Sequence, residues 1–496
     1  MTVVIELAKE LYREPISKVD TAWLRMEQPT NLMMINGVVV LDREPDFESL
    51  LRVLEQRLLV FRRFRQKAVD AAGGAHWETD RDFDIRNHVR CVALPGAAGR
   101  AELEALVEEL ASTPLDKSRP LWQYHLVENY AGGPAVIMRI HHCIADGIAL
   151  VQVFLSLTDP TPEGRPSASQ PEVWKRRRAD ESPVFARLLE PAREGLGFAA
   201  QVGRRMLEEG RKILDNPSLA GRYAAETAEL ARELVHSLTL PDDPVTRFKG
   251  RLGVRKLVAW AEPIVLDEVK AVSKAFGCTV NDVLIAAVTG ALRAYMIAAG
   301  DRPEGLPEIR ATVPVNLRPL EHARELGNHF GLVFLSLPLG VVNPLQRLYE
   351  VNARMDELKA SKQATVSIGI LAALGLAPAP VQQPVLDMLS RKATTVLTNV
   401  PGPQHPLYFA GAGIREMMFW VPQNGSIGLG ISILSYDGKV FFGLMSDRGL
   451  VPDPQRIISR FRQEFDKLLY LALMLPLEGR PNIRTADTLL EHARRH

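Results

Sequence analysis

Two stretches of alternating strand and helix signals, about residues 15–160 and 249–475, flank a long helix-favouring tract. This division constrains the fold more than any single motif. A chain of 496 residues is too long for one ordinary hydrophobic core, so the stretches read as two domains and the tract as a linker. In the first stretch, Ile35–Leu41 reads as a strand, Phe47–Leu59 as a helix and Leu121–Val127 as another strand. Pro160–Ser169, rich in Pro, Ser and Gly, reads as loop. Lys175-Arg176-Arg177-Arg178 opens the tract, either as a solvated helix start or as an attractor of phosphate or anionic lipid. Helix is favoured from about Pro183 to Leu238, with a break near Asp215-Asn216-Pro217, and Pro241-Asp242-Asp243-Pro244 closes the tract. In the second stretch, Thr279 to Asp282 caps a helix whose Leu284, Val288, Ala291, Leu292 and Tyr295 share a face. Tyr436-Asp437-Gly438, between two strand-like runs, is a hairpin signal. The expected boundaries are 1–180, 181–248 for the linker, 249–475, and a loosely ordered charged tail, 476–496.

Chemistry concentrates at Arg139-Ile140-His141-His142-Cys143-Ile144-Ala145-Asp146-Gly147. The apolar run Pro134–Ile140 leads in as a strand, and Ile148, Leu150, Val151, Phe154 and Leu155 give the residues beyond a helical apolar face. Side chains alternate along a strand, so only one of the two histidines can line a given cavity. A histidine at the apolar-facing edge is partly desolvated, which keeps its ring neutral and able to accept a proton near pH 7. Asp146 either caps the helix or holds the turn through a charged partner. The plainer reading is a core histidine with an Asp N-cap; the doubled His, its spacing to Asp-Gly and the junction favour chemistry. Cys143 points away from His142 and reads as a small packed residue rather than a nucleophile.

His141-His142-x-x-x-Asp146-Gly147 resembles the HHxxxDG signature of the coenzyme A-dependent acyltransferase superfamily, which includes chloramphenicol acetyltransferases and peptide-synthetase condensation domains. Further segments, in order, are similar to the bacterial wax ester synthase/diacylglycerol acyltransferase family. They are Ser17-x-x-Asp20-x-x-Trp23-Leu24, Asn31–Met34, Pro120-Leu121-Trp122, Asn281–Leu284 and Pro314–Arg318. Gly327-Asn328, Asn399-Val400-Pro401-Gly402-Pro403 and Ser435–Gly438 complete the set, so the likeness runs from roughly residue 12 to 475.

The resemblance implies an α/β (α+β) fold: two chloramphenicol acetyltransferase-like domains with mixed sheets, a helical linker, and an active-site tunnel at their interface. It implies transfer of a fatty acyl group from acyl-CoA to a long-chain alcohol or diacylglycerol, with acyl-CoA as co-substrate, no metal and no other cofactor. His142 would be the general base, Asp146 mainly structural, and His141 and Gly147 parts of the same signature. Asn281 would face the reacting centre, where its amide could donate to the oxyanion, or else one of Asn281 and Asp282 simply caps the helix. Arg318 would contact CoA phosphates or pair with a carboxylate. Asn399, Pro401 and Gly402 would form a stiff turn allowing close backbone approach to a ligand, or a plain rigid loop. The Arg62-Arg63-Phe64-Arg65 cluster offers ionic partners for Asp146, and Pro120-Leu121-Trp122 packs.

Rival readings are a same-fold enzyme using a carrier-protein thioester or another alcohol, a non-catalytic lipid-binding protein, and a hydrolase using Cys143. The net charge of +1 argues against a nucleic-acid binder that relies on basicity. Three scattered cysteines suggest neither a zinc site nor a disulfide framework and fit a reducing cytoplasm. The N-terminus lacks the pattern of a signal peptide. The charge-free segment 363–386 is long enough to span a membrane, but its glycines and prolines interrupt it. It reads as an internal helix near a tunnel mouth or as a patch touching lipid. The expected location is cytoplasmic, with peripheral contact at the inner face of the plasma membrane or a lipid droplet.

Overall fold

Met34–Leu41 is buried at all eight positions, Asn36 included, which is why apolar residues occupy both of its faces rather than alternating with exposed polar ones. It lies in the middle of a seven-stranded sheet. The computed structural model describes residues 13–71, 74–164, 232–233, 236–237, 239–317, 326–376, 379–474 and 483–495. The expected linker helix from Pro183 and the basic run at 175–178 lie outside the described residues.

The first half runs β1 (Arg13–Pro15), α1 (Lys18–Met26), β2 (Met34–Leu41), α2 (Phe47–Val53), β3 (Gln66–Ala71) and β4 (Gly74–Thr79). It continues with β5 (Val89–Val92), α3 (Arg100–Ala111), β6 (Trp122–Val127), β7 (Ala135–His141), α4 (Gly147–Leu157) and β8 (Thr158–Asp159). The second half opens with β9 (Lys256–Trp260), β10 (Ile264–Val265), α5 (Leu266–Phe276), α6 (Val280–Ala298), β11 (Ile309–Asn316) and β12 (Phe330–Leu337). Next come α7 (Pro344–Ala360), α8 (Gln363–Leu376), α9 (Ala379–Ser390), β13 (Thr395–Pro401), β14 (Tyr408–Phe409) and β15 (Ala412–Trp420). The chain finishes with β16 (Leu429–Tyr436), β17 (Lys439–Asp447), α10 (Gln455–Met474) and α11 (Ile483–Arg495).

Both large sheets are mixed. The first has the order β5-β6-β7-β2-β15-β14-β8, with β5 and β6 parallel. The second has the order β10-β17-β16-β13-β11-β12, with β9 also on β17, and β13 parallel to both β11 and β16. Two apolar cores form, and residues of the second sheet, among them Trp260, Phe330, Leu434 and Phe441, also enter the first. The division between halves is not a clean cut in sequence, because β14 and β15 come from the second half and complete the first sheet. A reading by contiguous segments cannot contain that exchange.

The hairpin at Asp437-Gly438 forms as expected, with both residues at positive φ (47° and 72°) as a two-residue turn between twisted strands requires. The tail departs from expectation: α11 is a helix, and Asn343 Nδ2 bonds its Asp487 Oδ1 at 2.6 Å. Ala486, Leu489 and Leu490 recur at helical spacing against the second core, which outweighs the charged composition. Helix α6 is long and apolar enough to cross a membrane, yet 78% of that stretch is buried inside the protein. It caps itself at Thr279 and serves as the central core helix of its half. Segment 363–386 is two helices rather than one span, and α8 lies along the edge strand β12. Gln363 Oε1 and Ser367 Oγ there accept the N–H groups of Phe334 and Leu332.

Candidate active site

Strand β7 ends at His141, and the next residue continues the ladder, His142 N donating to Met33 O at 2.7 Å. The chain then turns into α4 through Asp146, whose Oδ1 accepts Ala149 N at 2.8 Å as an N-cap. A segment of the other half runs beside this turn. Gly327 N bonds Ile144 O, Asp146 N bonds Gly327 O, and Asp146 Oδ2 accepts His329 N at 3.0 Å. Gly327 has φ +106°, a conformation that side chains rarely adopt, and a Cβ there would come within 3.3 Å of Asp20 Oδ2. Asn328 Nδ2 reaches His142 O at 2.8 Å. The His-to-Asp turn is thus clamped by residues some 180 positions away.

The His142 ring stacks on Trp23 of α1, centroids 4.1 Å apart, with Phe330 of β12 at 5.7 Å. Only 5% of the residue is exposed. Burial pulls its pKa from 6.5 to about 4, while the charge of Asp146 pulls the other way. The ring is therefore neutral at pH 7, and placing a charge on it costs about 3 kcal/mol.

His141 faces elsewhere. Its Nδ1 accepts Cys143 N at 3.1 Å, so in the neutral ring the proton sits on Nε2, which bonds Glu27 Oε2 at 2.8 Å. Lys117 bonds the other oxygen of Glu27. Cys143 is buried, and burial pushes its thiol pKa well up, the opposite of a reactive thiolate.

Of the arginine cluster, Arg63 is engaged by other groups. Arg63 bonds Glu14 at 2.6 Å and Gln66, and lies 4.8 Å over the Trp77 ring. Trp122 donates Nε1–H to Phe64 O and stacks on His88, while Leu121 O receives His141 N. Pro120-Leu121-Trp122 therefore locks the strand beside the His-to-Asp turn.

In the second half, Asn399 Nδ2 donates to Asn281 Oδ1 at 2.7 Å, which joins two of the expected site residues. Among the described residues neither bonds to His142. Asp282 supplies the cap: its Oδ2 accepts Thr279 N, and Thr279 Oγ1 accepts Asp282 N. Asn399 and Pro401 are not a turn but the end of β13, where a missing N–H is tolerated. Gly402 does allow a close backbone approach, but to Ser435, whose carbonyl would lie 2.4 Å from a Cβ. Arg318 lies outside the described residues.

At Gly147, the first residue of α4, a Cβ would meet nothing within 4 Å beyond its chain neighbours and its own helix backbone. Nothing in the protein demands glycine there. Gly147→Ala is expected to keep or raise stability, by about 0.4–1 kcal/mol at most, through reduced freedom of the unfolded chain. If the open space belongs to the thioester, kcat/KM falls in the same variant; thermal melts and steady-state rates together decide.

A small crevice between the halves is lined by Asn31, Leu32, Met34, Asn36, Lys256 and Gln423; Met34 and Asn36 pair with His141 and Arg139, so it lies on their face of the sheet. Among the described residues no cluster of three or more His, Cys, Asp or Glu is placed to hold a metal.

Trp23, Phe330, Asp20 and Asn328 belong to the site without having been given roles from sequence. The i, i+3 spacing of Asp20 and Trp23 on α1 was the available signal, since it puts both on one face. Glu27 carried no signal.

Residues 16–284 match the model of the wax ester synthase/diacylglycerol acyltransferase catalytic domain, and 326–469 match the family's C-terminal domain. A Mycobacterium tuberculosis H37Rv protein assigned as a diacylglycerol O-acyltransferase, Rv0895, is 29% identical over 484 residues, 92% of this chain and 90% of its own length. Another from the same strain, tgs1, is 28% identical over 437 residues, 86% and 89%. The wax ester synthase/diacylglycerol acyltransferase from Marinobacter aquaeolei VT8 has a similar structure, with TM-score 0.62, 23% identity, and coverage of 93% of this chain and all of that one. The first condensation domain of the calcium-dependent antibiotic synthetase is more distant, with TM-score 0.57, 15% identity, and coverage of 95% and 98%. At these identities the two structures speak to the fold, which is the two-part architecture of condensation domains.

Proposed function

This chain belongs to the wax ester synthase/diacylglycerol acyltransferase family, and from that premise we propose that His142 is the general base of its acyl transfer. The protein is an acyl-CoA-dependent O-acyltransferase whose products are wax esters or triacylglycerols. The observation that carries the assignment is the neutral His142 ring, walled by Trp23 and Phe330 at the seam of the two halves. His142 takes the proton of the acceptor hydroxyl, and the oxygen attacks the thioester carbonyl. The tetrahedral oxyanion collapses, the C–S bond breaks, and the imidazolium returns its proton to the CoA sulfur. A low proton affinity makes the ring a weak base but a strong acid in that last step, and Asp146 offsets part of the cost of charging it.

Asn281 is the oxyanion donor in this reading. Its Oδ1 is engaged by Asn399, which leaves its amide hydrogens to point at developing charge. Asp146 and Gly147 shape the turn, His141 braces it through Glu27, and we assign Pro401 and Gly402 to the frame that holds Asn399. Arg318 remains our candidate for CoA phosphate contact. The acceptors are long-chain alcohols or diacylglycerol, reached at the cytoplasmic face of a membrane or a lipid droplet. Helix α8, which has no charged residue, is the segment we assign to lipid contact. Purified protein incubated with palmitoyl-CoA and hexadecanol or a diacylglycerol should yield the ester and free CoA. Thioester hydrolysis without ester, or no turnover with either acceptor, would contradict the reading.

A further inference from the structure

Asn328, 3% exposed, ties the two halves together by its amide: Nδ2 donates to Asp20 Oδ1 at 2.7 Å and to His142 O at 2.8 Å. Its main-chain N donates to Asp20 Oδ1 as well, at 3.0 Å. Both partners of the amide are pure acceptors, which settles which end of it faces them. The amide oxygen then has to point the other way. Asn328 Oδ1 is buried without a bond of standard geometry, and so is Nδ1 of His142. The Asn328 side chain, like the ring's own main-chain carbonyl, favours the protonated imidazole. A buried acceptor and a buried ring nitrogen without full partners are costly on both sides. Catalytic hydrogen bonds are often long in an empty site and tighten when substrate binds.

We infer that Asp20 and Asn328 are positioning residues for His142. Asp20 fixes the Asn328 amide so that its Oδ1 receives Nδ1–H of the ring, which leaves the Nε2 lone pair for the acceptor hydroxyl. The inference rests on the assignment of His142 as base. Asp20 is well suited to its part, since Ser17 Oγ caps the helix turn that carries it and an amide held by a carboxylate is a charge-assisted bond. Asp20 and His142 come from one half and Asn328 from the other, so the base is oriented only where the halves meet.

The full-length protein labelled with [15N]histidine, with His142→Ala to identify the resonances, reports which ring nitrogen carries the proton. At pH 7 the wild-type ring should be the Nδ1–H tautomer. Asn328→Ala and the isosteric Asp20→Asn should show mixed tautomers and a kcat lower by about 10–100-fold, the range seen when groups orienting a working histidine are removed. KM for acyl-CoA should stay within about 2-fold, because only the transition state uses the orientation. If Asn328→Ala does not fold, Asp20→Asn decides. A wild-type proton on Nε2, or a folded variant with unchanged tautomer and kcat, overturns the positioning role. An active His142→Ala would instead overturn the base assignment, whatever the other variants do.

Discussion

His142→Ala is expected to lower kcat by about 10²–10⁴-fold, the ordinary worth of a positioned general base. The protein should remain folded, because the lost stack on Trp23 is worth about 0.5–1.5 kcal/mol. Circular dichroism and a thermal melt, measured beside the ester-forming rate, separate the two effects. KM for acyl-CoA should change little. A folded variant with near wild-type turnover would remove the ring from the chemistry.

Asp146→Ala carries the second large effect, and it falls on stability as well as rate. The substitution removes an N-cap, typically about 0.5–2 kcal/mol. It also takes from His329 N a buried acceptor, about 1–3 kcal/mol more. A combined loss of about 2–4 kcal/mol by denaturant titration is expected, with kcat lowered because the imidazolium loses a favourable charge. Asp146→Asn should recover the cap, since an amide oxygen still accepts Ala149 N, but not the bond to His329 N, where an NH2 would face an N–H, and not the rate. Equal rates for Asp146→Asn and wild type would make the residue a cap and nothing else.

Much of this was legible before any coordinates, for identifiable reasons. Residues 134–147 announced a strand, a turn and a helix through unbroken apolar character followed by helical spacing, and those elements form. Alternation along β7 correctly sent His141 and His142 in different directions, toward Glu27 and toward Trp23. What stayed hidden was long-range. Nothing local in Tyr408–Trp420 marks it as strands of the other half's sheet, because the burial it gains comes from β2 and β8. Gly327-Asn328 resembled a family motif, but its function needs Asp20, 308 residues away. The Asp146 partner was sought among arginines because charge suggests charge; among the contacts that hold it are two backbone N–H groups. The charges of the tail suggest loose order, yet three apolar residues at helical spacing dock it.

The pH behaviour follows from two opposite shifts. His142 binds its proton less tightly when folded, so its contribution to stability is full above pH 6.5 and lost as pH falls toward 4. Asp20, raised to about 6 by burial, binds its proton more tightly when folded, so its contribution grows as pH falls from 6 toward 3.8. Between pH 6 and 4 these two nearly cancel, but His125, also depressed to about 4 by burial, adds a loss that Asp20 does not offset, so stability should decline as pH falls through this range.

The most direct measurement is therefore the pH dependence of kcat/KM for wild type and Asp20→Asn, since this parameter reports the free enzyme's ionisations. The wild type should show a first acid limb near pH 6, from Asp20, that Asp20→Asn lacks, and both proteins should show a second limb well below 6.5 as the ring, depressed to about 4, takes its proton. A limb centred near 6.5 in both proteins would mean an ordinary solvated histidine and would contradict the buried, neutral base.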